Sequence, residues 1–223
     1  MSVFSRELKL MKSKPAYYIA VIAILSGMSY GLMFILHIPV IPAYSHLKLD
    51  FADLGVALAA LMLGPMSAVI VAFVKCALYL PFDMENLGVG VLSNFICCVA
   101  FAVALSLLFN IKRSDKMLAI ALVSAVAIEI AIALLSNYFI IGPLFIKVMG
   151  EGVKFLRTPA YLFGGVLPLN LIKFGIAALL AFGVFKGVQA AMPDKFGLKF
   201  VKKKPDGEKE QAAEAAAEND IKA

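Results

Sequence analysis

A chain of 223 residues that is 62% hydrophobic and only 16% charged cannot cover its apolar side chains with polar surface in water. A soluble globular domain is therefore excluded, and a net charge of +6 finds its explanation at a lipid surface, with no nucleic acid expected as a partner. The apolar residues come in long blocks without two-residue alternation, which points to membrane-spanning helices and away from a β-barrel.

Met1 to Pro15 is a polar, basic arm without a cleavable signal pattern, so the first span is expected to be retained. That span is predicted over 17–36. The loop after it carries Pro39, Pro42 and Tyr44 and ends at Asp50, which reads as the N-cap of a second helix with Asp53 in its first turn. The apolar run 51–63 rises only ~20 Å, short of the ~30 Å hydrocarbon core, and Gly64-Pro65 breaks it. Further runs are predicted over 66–82, 89–109, 117–146 with a late break at Gly142-Pro143, and 161–185. A short acidic loop with Asp83 and Glu85 precedes the fourth run, and a basic linker over 110–116 precedes the fifth. The predicted transmembrane domain covers 1–190, and 191–223 is a Lys-rich, then Ala/Glu-rich tail expected to be largely disordered.

The short second run leaves five or six crossings open, and the positive-inside bias decides. With six, Arg6, Lys9, Lys12, Lys14, Lys112, Arg113, Lys116 and the tail from Lys186 share one side, while the other receives Lys48, Lys147, Lys154 and Arg157. With five, the asymmetry dissolves. The expected fold is an all-α membrane protein of six transmembrane helices, the second short, with both termini cytoplasmic.

Two enzymatic motifs are missing: the sequence has no Gly-Lys pair and hence no P-loop, and it has no H-E-x-x-H. His37 and His46 flank the first loop without ligand-like spacing, and Cys76, Cys97 and Cys98 lie in apolar runs as packing residues. Polar residues inside the spans carry the information, because a charge at the bilayer centre costs about 2.5–3.5 kcal/mol on insertion scales. They are Lys75, Asn94, Glu129, Asn137, Asn170 and Lys173, and Asn170 and Lys173 sit three apart on one helix face. They form a ligand site or hydrogen-bond neighbouring helices. For Lys75 and Glu129 a buried interhelical pair or a position near the membrane surface is the competing account, and for Asn94 a contact between helices. Ala23, Gly27 and Gly31 form a small-residue stripe that suits close helix approach, within the chain or by a partner.

Five segments together resemble the S-components of energy-coupling-factor vitamin transporters, specifically the riboflavin-binding kind. They are Leu47-Lys48-Leu49-Asp50-Phe51-Ala52-Asp53, Leu63-Gly64-Pro65 before the helix of Lys75, Gly88-Val89-Gly90-Val91-Leu92-Ser93-Asn94-Phe95, Ser136-Asn137-Tyr138-Phe139, and Pro168-Leu169-Asn170-Leu171-Ile172-Lys173. The tail has no counterpart in that family. The resemblance implies six helices, a vitamin pocket roofed by the first loop, and flavin contacts from Asn137, Asn170 and Lys173. Leu47 and Lys48 of the loop, with Lys75 and Asn94, complete the candidate ligand set, and the stripe of Ala23, Gly27 and Gly31 is implied to face the coupling protein.

The expected function is a non-enzymatic, riboflavin-binding subunit of an importer in a bacterial plasma membrane, with riboflavin or FMN as transported ligand and no cofactor. Its implied partners are a transmembrane coupling subunit and two ATPases. An S-component for another vitamin such as thiamine or pantothenate, a proton-driven carrier using Glu129, and a ligand-free assembly protein are the competing readings.

Overall fold

The computed structural model describes residues 3–35, 38–44, 46–83 and 87–191. The expectations for His37, Glu85 and the tail beyond 191 lie outside the described residues. Helices α1 (Val3–Ser13) and α2 (Pro15–Ile35) precede a loop that holds strands β1 (Ile38–Pro39) and β2 (Lys48–Leu49). Then come α3 (Asp53–Met62), α4 (Pro65–Tyr79), α5 (Val89–Phe109), α6 (Asp115–Ser136), α7 (Gly142–Met149), α8 (Pro159–Tyr161) and α9 (Leu167–Ala191). Five stretches among the described residues are long and apolar enough to cross a bilayer: Pro15–Ile35, Pro65–Phe82, Val89–Phe109, Asp115–Met149 and Pro159–Ala191. Their outward residues, such as Ile24, Val123 and Leu179, are apolar, as contact with lipid tails requires.

The ten-residue α3 is the centre of the bundle. It packs against α2, α4, α5 and α9, and every residue from Gly55 to Met62 is buried, which explains why so short a helix is apolar on all sides. Gly55 lets α2 approach: a Cβ there would stand 2.8 Å from the Leu25 carbonyl oxygen and closer still to Ser29. The chain leaves α3 through Gly64 at φ +146°, a conformation open to glycine, and Pro65 starts α4 where no backbone N–H is needed.

Three expectations change. The N-terminal arm is not simply a polar extension: α1 is an amphipathic helix anchored by Glu7. This buried carboxylate accepts hydrogen bonds from the Met66 and Ser67 backbone N–H groups at 3.1 and 2.6 Å, from Tyr18 Oη at 3.1 Å and from the Ser67 hydroxyl. It thus satisfies amides at the positive end of α4 from a distant part of the chain.

The N-cap of α3 is Ala52, not Asp50. Asp50 sits just ahead of the helix, accepting the Ala52 N–H at 2.9 Å while its other carboxylate oxygen is held by Lys173. Asp53 does lie in the first turn, as expected.

The run 117–146 does not break at Gly142-Pro143. The backbone widens into a π turn over Asn137–Ile141, in which the Gly142 N–H bonds the Asn137 oxygen, and the helix continues into α7. Proline in a regular helix lacks an N–H and crowds the carbonyl four residues back, and a widened turn relieves both. A second π turn, Leu162–Val166, joins α8 to α9 just ahead of Pro168.

Candidate functional site

A cavity of about 110 Å³ opens where the first loop, α5, α9 and the segment that follows α6 converge. Asn94, Asn137, Asn170, Lys173, Leu47 and Lys48 all line it. Lys75, the remaining candidate, does not; it is fully buried behind the cavity in an ion pair with Asp53. The apolar walls come from Met33, Tyr79, Val91, Ile141, Phe145 and Leu169.

The polar side of the cavity is a balanced ion network. Lys173 Nζ lies 2.9 Å from Asp50 Oδ2 and 3.3 Å from Asp53 Oδ2, and Lys75 Nζ lies 2.5 Å from Asp53 Oδ1. Cys98 Sγ stands 2.8 Å from Asp53 Oδ1 and 3.0 Å from Asn94 Oδ1. Two ammonium groups thus face two carboxylates, which is the condition for keeping four charges out of water. An ammonium carries three N–H donors. Asp50 takes one from Lys173, Asp53 Oδ2 attracts the same ammonium at 3.3 Å without a hydrogen bond of normal geometry, and donor capacity is left for whatever occupies the cavity.

The two π turns prepare the asparagines. Asn137 Nδ2 donates to Ala133 O and Asn170 Nδ2 to Val166 O, each at 2.8 Å and each four residues back on its own helix. Both amides are held in one orientation by local bonds, with a carbonyl oxygen and a second N–H remaining for a ligand.

The loop is pinned by aromatic side chains: Tyr44 and His46, which the sequence places at the loop without this role, and Phe155 and Tyr161, which it does not single out. The His46 ring bonds Tyr161 Oη at 3.0 Å and stacks on it with centroids 5.6 Å apart, and Tyr44 meets Tyr161 edge-on at 5.0 Å. Tyr44 also stacks on Phe155. The hairpin pairs Ile38 with Leu49 and Pro39 with Lys48, so the loop closes as a unit. Burial lowers the His46 pKa below its ordinary value, which keeps the ring neutral for this contact. Asp83 caps the other rim, accepting the Val91 N–H at 3.1 Å.

Glu129 is fully buried on α6 beside Cys97, and neither carboxylate oxygen makes a hydrogen bond of normal geometry among the described residues. The small-residue stripe faces outward: Ala23 and Gly27 are exposed, and a Cβ added at Gly27 or Gly31 would meet nothing within 4 Å among the described residues. Close packing inside the chain uses Ser26 and Ser29 instead, both buried. In the sequence Asp50 and Asp53 read only as capping residues, and their pairing with Lys75 and Lys173 carries no local signal.

A family model for the substrate-specific component of ECF transporters matches residues 17–185. Among curated relatives, riboflavin transporter RibU of Staphylococcus aureus (strain TCH60) is 31% identical over 178 residues, covering 79% of this chain and 90% of the relative. Riboflavin transporter FmnP of Bacillus subtilis (strain 168) is 29% identical over 198 residues, covering 87% and 96%. A solved structure described as "Structure and mechanism of the S component of a bacterial ECF transporter" superposes with a TM-score of 0.67 at 28% identity, covering 82% of this chain and 100% of that one. With a match over most of its length in sequence and in fold, the chain belongs to the substrate-specific components of ECF transporters.

Proposed function

We propose that the protein binds riboflavin, or FMN, in the cavity beneath the first loop and delivers it inward together with a membrane coupling subunit and two ATPases. The observation that carries this reading is the convergence of Asn137, Asn170 and Lys173 on one apolar-walled cavity. The flavin ring system is a flat apolar body with one edge of carbonyls and an N–H. Oriented amides match that edge, and a Lys173 N–H not taken by Asp50 donates to a carbonyl or ring nitrogen. Lys48 and Leu47 sit over the ring from the loop side, Asn94 from α5, and Lys75 acts behind them by holding Asp53 in place.

At about 110 Å³ the cavity is smaller than the ~300–1,000 Å³ usual for ligands of this size. Binding therefore involves outward movement of the loop and release of the His46–Tyr161 contact, followed by closure around the vitamin.

The reading includes six crossings with both termini cytoplasmic, α3 serving as the second. Three contacts support it. Gly64, at the end of α3, abuts Glu7 of α1, so α3 returns the chain from the loop to the side where α2 began. Arg6 bonds Asn110, bringing the 110–116 linker to that same side. Lys186 pairs with Asp115 at 2.8 Å, bringing the end of α9 there too. This side gathers the N-terminal and linker cations and is the cytoplasmic one by the positive-inside bias. The outward stripe of Ala23, Gly27 and Gly31 is the proposed face for the coupling subunit. In this reading residues 1–190 form the substrate-binding domain and 191–223 a separate polar tail.

The test is titration of detergent-purified, ligand-free protein with riboflavin, following quenching of flavin fluorescence, beside FMN, thiamine and pantothenate. Saturable quenching by riboflavin at one site per chain is expected, and its absence overturns the substrate.

A further inference from the structure

Arg6 of α1 and Arg113 of the α5–α6 linker converge on one neutral acceptor. Arg6 Nη1 and Arg113 Nε each donate to Asn110 Oδ1 at 2.9 Å, and Asn110 Nδ2 in turn bonds the Ser106 oxygen at 2.6 Å. Three of the four other guanidinium nitrogens, Arg6 Nη2 with Arg113 Nη1 and Nη2, are shut off from solvent and make no hydrogen bond among the described residues. Arg113 also lies over the Phe109 ring, 5.4 Å from its centroid, so one face of its fork is already packed.

This arrangement is incomplete as chemistry. A guanidinium stays charged at any physiological pH, and several buried N–H donors without partners are costly. Burial, then the charge of Arg6, push Arg113 down to about 9, which still leaves it protonated at pH 7. The carboxylate acting on Arg6 is Glu7, and its oxygens are committed to Met66, Ser67 and Tyr18. Elsewhere the chain matches its buried cations, Lys75 and Lys173, with Asp53 and Asp50. Here two cations share one amide oxygen.

We propose that Arg6 and Arg113 form a phosphate-binding site that is completed by a group from outside the chain. Planar guanidinium forks match phosphate oxygens bidentately, and the three unmatched nitrogens, enclosed in the lipid-free chain, supply the donors once the arginine side chains turn outward. The favoured source is the headgroup of an anionic phospholipid. Phe4, Leu8 and Met11 project as one exposed apolar face of α1, the pattern of a helix lying at the boundary of headgroups and acyl chains. At that depth the arginines meet the phosphate layer. A soluble phosphate offers the same chemistry, and the experiment separates the two.

The full chain is stripped of lipid in neutral detergent and returned to nanodiscs of phosphatidylcholine alone or mixed equally with phosphatidylglycerol. Native mass spectrometry then counts retained lipid, and thermal melting reads stability. The wild type is expected to retain phosphatidylglycerol and melt higher with it, and the double variant Arg6→Gln, Arg113→Gln to bind it about tenfold more weakly, the size of one charge-assisted hydrogen bond. Inorganic phosphate added to phosphatidylcholine discs at fixed ionic strength is the second arm. An arginine-dependent rise there, without a phosphatidylglycerol effect, keeps the site and makes its ligand soluble. Equal responses in wild type and variant, or no response to either phosphate, overturn the proposal. Should the double variant fail to fold, Asn110→Asp replaces it by supplying a carboxylate internally. That variant is expected to melt above wild type in phosphatidylcholine and to lose its further response to phosphatidylglycerol, and an undiminished response overturns the proposal.

Discussion

Lys173 and Asp50 are 123 positions apart, yet their charged groups meet 2.9 Å from each other at the floor of the cavity. The contact joins α9 to the root of the first loop, so the residue proposed to bind the vitamin also holds the element that covers it. Lys173→Ala is expected to weaken riboflavin binding by about 10–100-fold, the worth of a hydrogen bond from a charged donor at ~1.5–3 kcal/mol. Fluorescence titration measures this. Asp50→Asn is expected to act differently, speeding dissociation more than it weakens the flavin contact itself, because the loop loses its ionic tether while Lys173 keeps Asp53. Stopped-flow dissociation separates the two.

The pair behind the cavity is expected to govern stability. Lys75 and Asp53 are both fully buried, and removing one partner leaves an uncompensated charge in an apolar setting. Lys75→Met should cost about 3–5 kcal/mol, whereas Lys75→Met with Asp53→Leu should recover much of the loss. The recovery is partial because Lys173 also leans on Asp53, at 3.3 Å. Thermal melting of the single and double variants in detergent checks this, and a double variant no better than the single would show that the charge itself is not what fails.

The membrane class, the helix order and the intramembrane polar set were legible because each rests on a large cost. An apolar block must meet lipid, and a lysine or asparagine inside one must have a reason. The partners of those residues were not legible. Asp50 and Asp53 stand where capping explains a carboxylate fully, and nothing local distinguishes a cap from the counter-ion of a lysine 123 positions away. Tyr44, His46, Phe155 and Tyr161 were silent for another reason: aromatic residues in apolar or loop segments carry no periodic signal, and their meeting is purely tertiary. Gly142-Pro143 misled because a break and a widened turn have the same residues. The placement of α1 turned on Glu7, one acid in a basic arm, whose value appears only with the amides of Met66 and Ser67 beside it.

Loop opening is expected to depend on pH through His46. Burial depresses its pKa, so the closed form binds fewer protons than an open form in which the ring is solvated near its ordinary value of about 6.5. The closed loop therefore has its full stability above that ordinary value. It loses stability as pH falls below it, down to the depressed pKa, beneath which the penalty is constant. Riboflavin dissociation should accelerate from pH 7 to pH 5 in the wild type. His46→Gln, which keeps a polar group for Tyr161 but does not titrate, should flatten the profile, and a wild-type rate independent of pH would refute the coupling.

Two glycines separate packing within the chain from docking outside it. A side chain at Gly55 meets the Leu25 carbonyl oxygen at 2.8 Å, a backbone atom that cannot swing away, so Gly55→Ala should destabilise the isolated subunit by about 1–3 kcal/mol through overpacking. Gly27 has open space around it among the described residues, so even Gly27→Leu should leave the melting temperature and riboflavin affinity of the isolated subunit unchanged. Helix association in lipid depends on close backbone approach, however, and a leucine in a small-residue stripe holds a partner helix away. If the stripe docks the coupling subunit, Gly27→Leu will reduce copurification with it and abolish ATP-dependent riboflavin uptake in reconstituted vesicles while binding persists. Normal uptake by that variant would remove the stripe from the interface, and lost binding would mean that α2 packs more tightly at Gly27 than its surroundings indicate.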